Sequence, residues 1–509
     1  MNFSIPIKIV VSCILVVVGL PMLQAETKQP NIIIFLVDDM GLMDTSVPML
    51  VDAEGNPEKH PLNDLYQTPS MEVLAARGIR FSRFYAHSVC SPSRVSLLTG
   101  QNSARHRTTQ WISPNKRNKG AFDPPEWNWP GLNESSVTLP RLLQSSGYKT
   151  IHVGKAHLGP HEHTGSDPLV AGFDINIAGS AIGSPGSYSA GNNYTGKNGK
   201  HPVPHLQKYH GSDTHLSDAL TLEAIEQIKA AHEAQQPFFL HLSHYAAHGP
   251  FERDPRFEAN YTESISNTKA QNFATLIEGM DKSLGDLLKA LEKIGIEEET
   301  LLFFLGDNGS ASPIGKNHAV GNSAPLRGRK SNHYEGGMRV PFIAAWAKPA
   351  QGKAMQELQQ KLPIASGATQ SQMGTIMDLF PTILELVGID KVDGHVIDGQ
   401  SLNTLLTGAP DTSRQEAFLN HFPHAHQSAY FTSYCSGDWK VIYHYVNEKS
   451  SHGPYELFNL KSDRSESENL ATSNPEKLKQ MLQEMSQLLE QKKALFPVKE
   501  GATLAIQIP

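Results

Sequence analysis

Cysteine is scarce in this chain: three thiols in 509 residues, at Cys13, Cys90 and Cys435. A disulfide-stapled scaffold is thereby excluded, because such frameworks need many paired thiols in a short chain. A surplus of basic charge is missing as well, since 44 Lys and Arg stand against 51 Asp and Glu. Nothing in that balance favours nucleic acid as a partner. Internal repeats are absent too, which argues against a solenoid or propeller. What remains is an ordinary globular composition, 39% hydrophobic and 19% charged, with no sign of a disordered chain.

The amino terminus carries Lys8, an apolar run over residues 9–23, and Leu-Gln-Ala before Glu26. That layout predicts a secretory signal over 1–25, cleaved after Ala25 and too short and poorly flanked for a stable membrane anchor. The protein is therefore expected to be exported, to the periplasm or beyond. Its mature form keeps 43 basic against 51 acidic side chains, a formal charge of −8, and only Cys90 and Cys435 as thiols. A Cys90–Cys435 bridge is the plain alternative to a chemical use of Cys90.

At this length a single core stops growing, so two unequal domains are expected. Residues 31–37 read Asn-Ile-Ile-Ile-Phe-Leu-Val, an unbroken apolar run that predicts a central parallel strand buried on both faces. The run ends in Asp38-Asp39, and the carboxyl ends of such strands are where open α/β sheets place their ligands. Two adjacent carboxylates repel each other unless a cation or basic groups compensate. A second apolar strand, 301–305, ends the same way in Gly306-Asp307-Asn308-Gly309. Further strands are expected at 79–86, 148–153, 238–242 and after Gly336-Gly337-Met338-Arg339. Helices are expected at 69–78 with Ser70 as cap, and at 139–146, 216–234, 268–293 and 372–387. This alternation predicts an α/β fold with a large doubly wound, mostly parallel sheet. Residues 160–212, rich in Gly, Ser, Asn and His, lack periodicity and predict long loops over the site.

From about residue 411 the texture changes. Segments 429–434, 439–445 and 455–459 read as short antiparallel strands, and 475–495 as an amphipathic helix with Leu478, Met481, Leu482, Met485, Leu488 and Leu489 on one face. The expected organisation is a catalytic α/β domain over 26–410 and a smaller α+β domain over 411–509 containing a short antiparallel sheet.

The chemistry concentrates in a few places. Cys90-Ser91-Pro92-Ser93-Arg94 opens a helix over 90–99, with Ser91 as cap and Pro92 at the first helical position. The sulfur then sits at the positive end of a helix dipole with Arg94 one turn on, so an arriving anion is stabilised twice. The plain alternative is a buried structural cysteine. Asp38, Asp39, Asp307 and Asn308 offer only oxygen donors, which suits calcium or magnesium and argues against zinc. Arg94, Lys155 and Lys330 tip the local balance positive, toward an anionic substrate. Among 23 histidines, His157 and His248 are singled out because each lies just past a strand end. His87, His152, His161, His163, His244, His318 and His333 are candidates for pocket wall without an assigned role.

Taken together, Asp38-Asp39, Cys90-Ser91-Pro92-Ser93-Arg94, Gly154-Lys155-x-His157, His248-Gly249-Pro250, Asp307-Asn308-Gly309 and Lys330 followed by Tyr334-Glu335-Gly336-Gly337 resemble the motifs of the type I sulfatases, in the alkaline phosphatase superfamily, in that family's order. Tyr455-Glu456-Leu457-Phe458-Asn459-Leu460 is similar to its closing strand. Two departures, Ala156 where a tryptophan is frequent and Ala247 for a proline, remove no chemical group. The resemblance implies that a maturing enzyme, of the formylglycine-generating or sulfatase-maturing kind, oxidises Cys90 to Cα-formylglycine. It implies that Asp38, Asp39, Asp307, Asn308 and the oxidised Cys90 hold Ca2+, and that Arg94 and Lys155 stabilise the aldehyde hydrate. Lys330, Lys155 and His248 would contact the sulfate ester, with His248 protonating the leaving alcohol and His157 acting as base. One hydroxyl of the hydrate attacks sulfur and the other expels sulfate, so water need not attack sulfur.

The activity so implied is calcium-dependent hydrolysis of a sulfate monoester, with a sulfated carbohydrate as the expected substrate. Two alternatives stay open on sequence. One is a phosphonate monoester or phosphodiester hydrolase of the same superfamily, and the other is a catalytically dead glycan-binding protein.

Overall fold

A computed structural model describes residues 1–5, 28–314, 322–390, 392–427, 429–446 and 453–509. All but the first five residues of the expected signal segment, and His318, lie outside these. Among the described residues no helix is long and apolar enough to cross a membrane.

Eight strands form the main sheet: β1 Asn31–Val37, β2 Ile79–Phe81, β3 Lys149–Gly154, β4 Ile175–Ile177, β5 Phe238–His244, β6 Thr300–Gly306, β7 Phe342–Trp346 and β8 Ala368–Gln370. Their spatial order is β8-β2-β7-β6-β1-β5-β3-β4. Strand β7 runs antiparallel to both neighbours, whereas every other pairing in the sheet is parallel. The expected mostly parallel α/β sheet is therefore present, with one reversed strand.

Strand alternation explains the layering. Ile33, Phe35 and Val37 of β1 join one core with Leu220 and Ile228 of helix α4 (Leu216–Glu233) and with Phe273, Leu284 and Leu291 of α5 (Thr268–Ile294). Ile32, Ile34 and Leu36 face the opposite core, shared with Val95 and Leu98 of α2 (Cys90–Thr99), Leu139 and Leu143 of α3 (Leu139–Ser145), and Phe380 and Ile383 of α6 (Leu379–Val387). Burial of each large apolar side chain contributes about 1.5–3 kcal/mol, so β1 is anchored on both sides.

A separate four-stranded antiparallel sheet follows, β9 Ala417–Phe422, β10 Phe431–Ser436, β11 Trp439–His444 and β12 Tyr455–Asn459, paired in that order. Helix α7 (Pro475–Gln491) covers one of its faces with Leu478, Met481, Leu482, Met485 and Leu489, all buried, while Leu488 is half-buried. Phe418 and Cys435 turn instead into the core of the main sheet. Both described cysteines are free thiols, so the alternative bridge is not formed.

Several local expectations are corrected. The expected strand 79–86 breaks into Ile79–Phe81 and Phe84–Tyr85, because Ser82 and Arg83 part the two pairings. The expected helix 372–387 begins only after a short strand at Gly374–Thr375 and a 3-10 turn at Ile376–Asp378, where the Asp378 carboxylate accepts from the Thr375 amide. Strand β4 emerges inside the expected loop region, as three residues completing a sheet edge. Helix α1 (Pro69–Arg77) is not capped by Ser70. Buried Asp281, from α5, accepts hydrogen bonds from the Ser70 and Met71 amides at 2.9 and 2.8 Å, so the cap comes from across the core.

This long-range cap yields a test. Asp281→Ala leaves two helix-terminal amides unsatisfied and should cost about 1–2 kcal/mol of stability. A urea midpoint unchanged from the parent would show that the cap carries no weight.

Candidate active site

Parallel pairing brings the chemistry to one edge. Val37 is in register with both His244 and Gly306, and Gly154 with Ser243. Asp38 and Asp307 therefore leave adjacent strands level with each other, and Lys155 leaves β3, on the far side of β5, within one residue of that level. Their backbones stay tied: the Asp307 amide donates to the Val37 carbonyl at 3.1 Å and the Lys155 amide to the Ser243 carbonyl at 2.8 Å. Gly154 must be glycine here, since its φ is +105° and a Cβ would strike the Ser243 carbonyl oxygen. Asp39 adopts the left-handed region at φ 59°, and its amide donates to Asp307 Oδ1 at 3.1 Å.

Three buried carboxylates each meet a buried or nearly buried cation. Lys155 Nζ lies 2.6 Å from Asp38 Oδ2, and Lys330 Nζ 2.6 Å from Asp39 Oδ1. Arg94 donates through Nε to Asp307 Oδ2 at 2.9 Å, and its Nη1 is held by the Lys155 carbonyl at 2.8 Å and Ser243 Oγ at 2.6 Å. Cys90 joins this group, its Sγ 3.5 Å from Asp38 Oδ1. Burial pushes the Cys90 thiol up to about 12, so as encoded it is a neutral, poor nucleophile. Ser91 does not cap the helix: Val89 is the residue before it, and Cys90 itself starts the turn. Ser91 Oγ instead donates to the His157 carbonyl and accepts from the Ile112 amide, locking the helix start to two loops.

Both singled-out histidines reach the site. His248 Nε2 lies 3.6 Å from Asp39 Oδ2, while its Nδ1 is 2.8 Å from the Gly249 carbonyl and so carries the proton. Burial, reinforced by Lys330, pushes His248 down to about 3, leaving it neutral in the free site. His157 Nε2 donates to the Ile112 carbonyl at 2.7 Å, and its buried Nδ1 makes no hydrogen bond among the described residues. Burial, then Lys155, hold its pKa well below the ordinary value, so Nδ1 presents a free lone pair. Gly183 packs on the ring so closely that a Cβ would come within 2.6 Å of it.

Above Cys90 opens a cavity of about 530 Å³, lined among others by Asp39, His157, His248, Lys330, Trp111, Phe251, His201, Arg329 and His426. Trp111, His201, Arg329 and His426 were not singled out in sequence, where no motif marks them. None of the described pocket-wall candidates lines this cavity. His87, His152 and His244 are bound into buried networks with Asn420 and Ser96, with His241, and with Ser283.

The donor chemistry fits a hard cation. One oxygen from each of Asp38, Asp39 and Asp307 and the Cys90 sulfur lie within 4.8 Å of one another. Asn308 donates to Asp39 Oδ1 at 2.9 Å, but its buried Oδ1 has no partner among the described residues, an acceptor left for a cation. Asp38 is pushed up to about 8, first by burial and then by Asp307 and Asp39, against the pull of Lys155. A cation among these oxygens would restore its charge.

The chain is similar to known proteins in sequence and in fold. Residues 30–389 match the sulfatase family model, and residues 329–494 the model described as N-sulphoglucosamine sulphohydrolase, C-terminal. An N-acetylgalactosamine-6-sulfatase of Mus musculus is 32% identical over 417 residues, covering 78% of this chain and 70% of that protein. A sulfatase of Formosa agariphila is 27% identical over 511 residues, covering 88% of this chain and 85% of its own. In fold, the chain is similar to the crystal structure of Ps i-CgsB in complex with k-i-k-neocarrahexaose. The TM-score is 0.68, with 23% identity, over 93% of this chain and 96% of that one.

The Arg94–Asp307 pair is wholly buried, and removing one partner of such a pair strands the other. Arg94→Leu should therefore destabilise the fold by about 3–5 kcal/mol, read as a lowered denaturant midpoint. A loss under about 1 kcal/mol, the range of exposed pairs, would mean that Asp307 is compensated otherwise.

Proposed function

The chain belongs to the sulfatase family and is a sulfuric ester hydrolase, and from that premise we propose that it hydrolyses carbohydrate sulfate monoesters using formylglycine made from Cys90 and a calcium ion. The observation that carries the reading is the position of Cys90 at a helix start, 3.5 Å from Asp38, within a basin where three carboxylates face three cations. Asp38, Asp39, Asp307 and Asn308 would hold the ion, which supplies positive charge against the sulfate oxygens when bound. Formylglycine, as its hydrate, supplies two hydroxyls on one carbon, one to attack sulfur and one to expel sulfate.

The chain's own residues do the rest. Arg94, held by Asp307, Ser243 and the Lys155 carbonyl, cannot swing away, so the positive field at residue 90 is organised before substrate arrives. Lys330, tied to Asp39 and lining the cavity, would grip the sulfate. The incoming anion favours the protonated form of His248, whose Nε2 can then deliver a proton to the leaving alcohol. His157 accepts a proton at Nδ1 while Nε2 stays committed to the Ile112 carbonyl.

A sulfated sugar is supported by the name of the mouse relative and by an open cavity with Trp111 and Phe251 as flat apolar surface beside polar side chains. Export rests on the amino-terminal sequence, and the division at 410/411 on the change of texture there. Both are part of the proposal.

Intact mass of the protein, coexpressed with a maturing enzyme, tests the central step: Cys90 should read about 18 Da below the encoded cysteine, and Cys90→Ala should abolish aryl sulfate turnover. Full activity with an unmodified thiol, or faster turnover of an aryl phosphonate than of the sulfate, would sink the reading. His248→Ala should slow a sugar sulfate by about 10²–10⁴-fold, while an activated aryl sulfate, which needs no proton donor, loses far less. Equal losses on both would remove His248 from that role.

A further inference from the structure

We propose a second metal site, separate from the acidic cluster, in which His333, His444 and Glu456 bind Zn2+ or a similar borderline transition metal ion. One donor atom from each lies within 4.8 Å of the others. His444 Nε2 is 2.8 Å and His333 Nε2 3.8 Å from the same oxygen, Glu456 Oε1. His333 is 9% exposed, and neither of its ring nitrogens makes a hydrogen bond among the described residues. A buried imidazole with two idle nitrogens, one of them aimed at a carboxylate already engaged with a second imidazole, is the arrangement a metal ion completes.

The carboxylate is held from outside: Tyr334 donates its hydroxyl to Glu456 at 3.1 Å, and Arg327, 3.7 Å from Glu456 Oε2, stacks 3.8 Å over the Tyr334 ring. Such outer contacts orient a ligating carboxylate. Two imidazole nitrogens and one carboxylate oxygen select zinc, cobalt or nickel over calcium, the reverse of the all-oxygen preference at Asp38, Asp39, Asp307 and Asn308.

The ligands come from two parts of the fold. His333 is three residues beyond Lys330, whereas His444 ends β11 and Glu456 lies in β12. An ion here ties the segment carrying Lys330 to the antiparallel sheet.

The test uses the full chain, stripped with a chelator, saturated with Ca2+ to fill the acidic cluster, and titrated with CoCl2. The expected result is one equivalent of Co2+ with the visible absorption of a four- or five-coordinate ion, displaced by Zn2+. The bands should vanish in His333→Ala and His444→Ala and persist in Asp39→Asn. Circular dichroism of each metal-free variant checks that it folds, and Glu456→Gln, which keeps the side-chain shape, should bind Co2+ at least tenfold more weakly. No bands in the parent, or bands that survive His333→Ala, would overturn the proposal.

Discussion

Everything at the reactive edge depends on three carboxylates being packed together out of water. An isolated buried carboxylate takes up a proton or is excluded from the interior. Here Asp38, Asp39 and Asp307 are each matched to Lys155, Lys330 and Arg94 at bonding distance. The matching is possible because β1, β3, β5 and β6 run parallel and end level, so partners distant in sequence emerge side by side. A one-residue slip in any of these pairings would invert the faces of that strand and separate the charges.

The same economy shapes the histidines. His157 and His248 both have one ring nitrogen committed to a backbone carbonyl, which decides the tautomer and leaves the other nitrogen for chemistry. Backbone strain serves this end: Asp39 and His157 occupy the left-handed region, where a non-glycine residue is held only by its surroundings. Gly183 then admits the His157 ring by having no side chain of its own.

Much of this was legible in the chain. Long apolar runs announced β1, β5 and β6, and the acidic strand ends, Cys90, Arg94, Lys155, His157, His248 and Lys330 all meet in one site. Where the reading missed, a distant partner had decided the outcome. The cap of α1 is Asp281, some 210 residues away in sequence, and Ser91 turns to the His157 carbonyl rather than to its own helix. Strand β4 is three residues, too short a run to stand out in sequence, that pair in parallel along the open edge of β3. Trp111, His201 and His426 reach the cavity from loops without periodicity, so nothing local distinguished them from other surface residues.

Sequence by itself settled the parallel α/β class, the order of the motifs and the oxygen-rich donor set, because apolar period and residue chemistry are local properties. Tertiary structure alone decided which cation pairs with which carboxylate, which nitrogen of each histidine is free, and that His333, His444 and Glu456 come together. The cation–carboxylate pairs join residues 117 to 291 apart, and sheet register with loop packing sets those distances; the histidine tautomers are set by nearer carbonyls, but only the folded chain brings those carbonyls onto the rings.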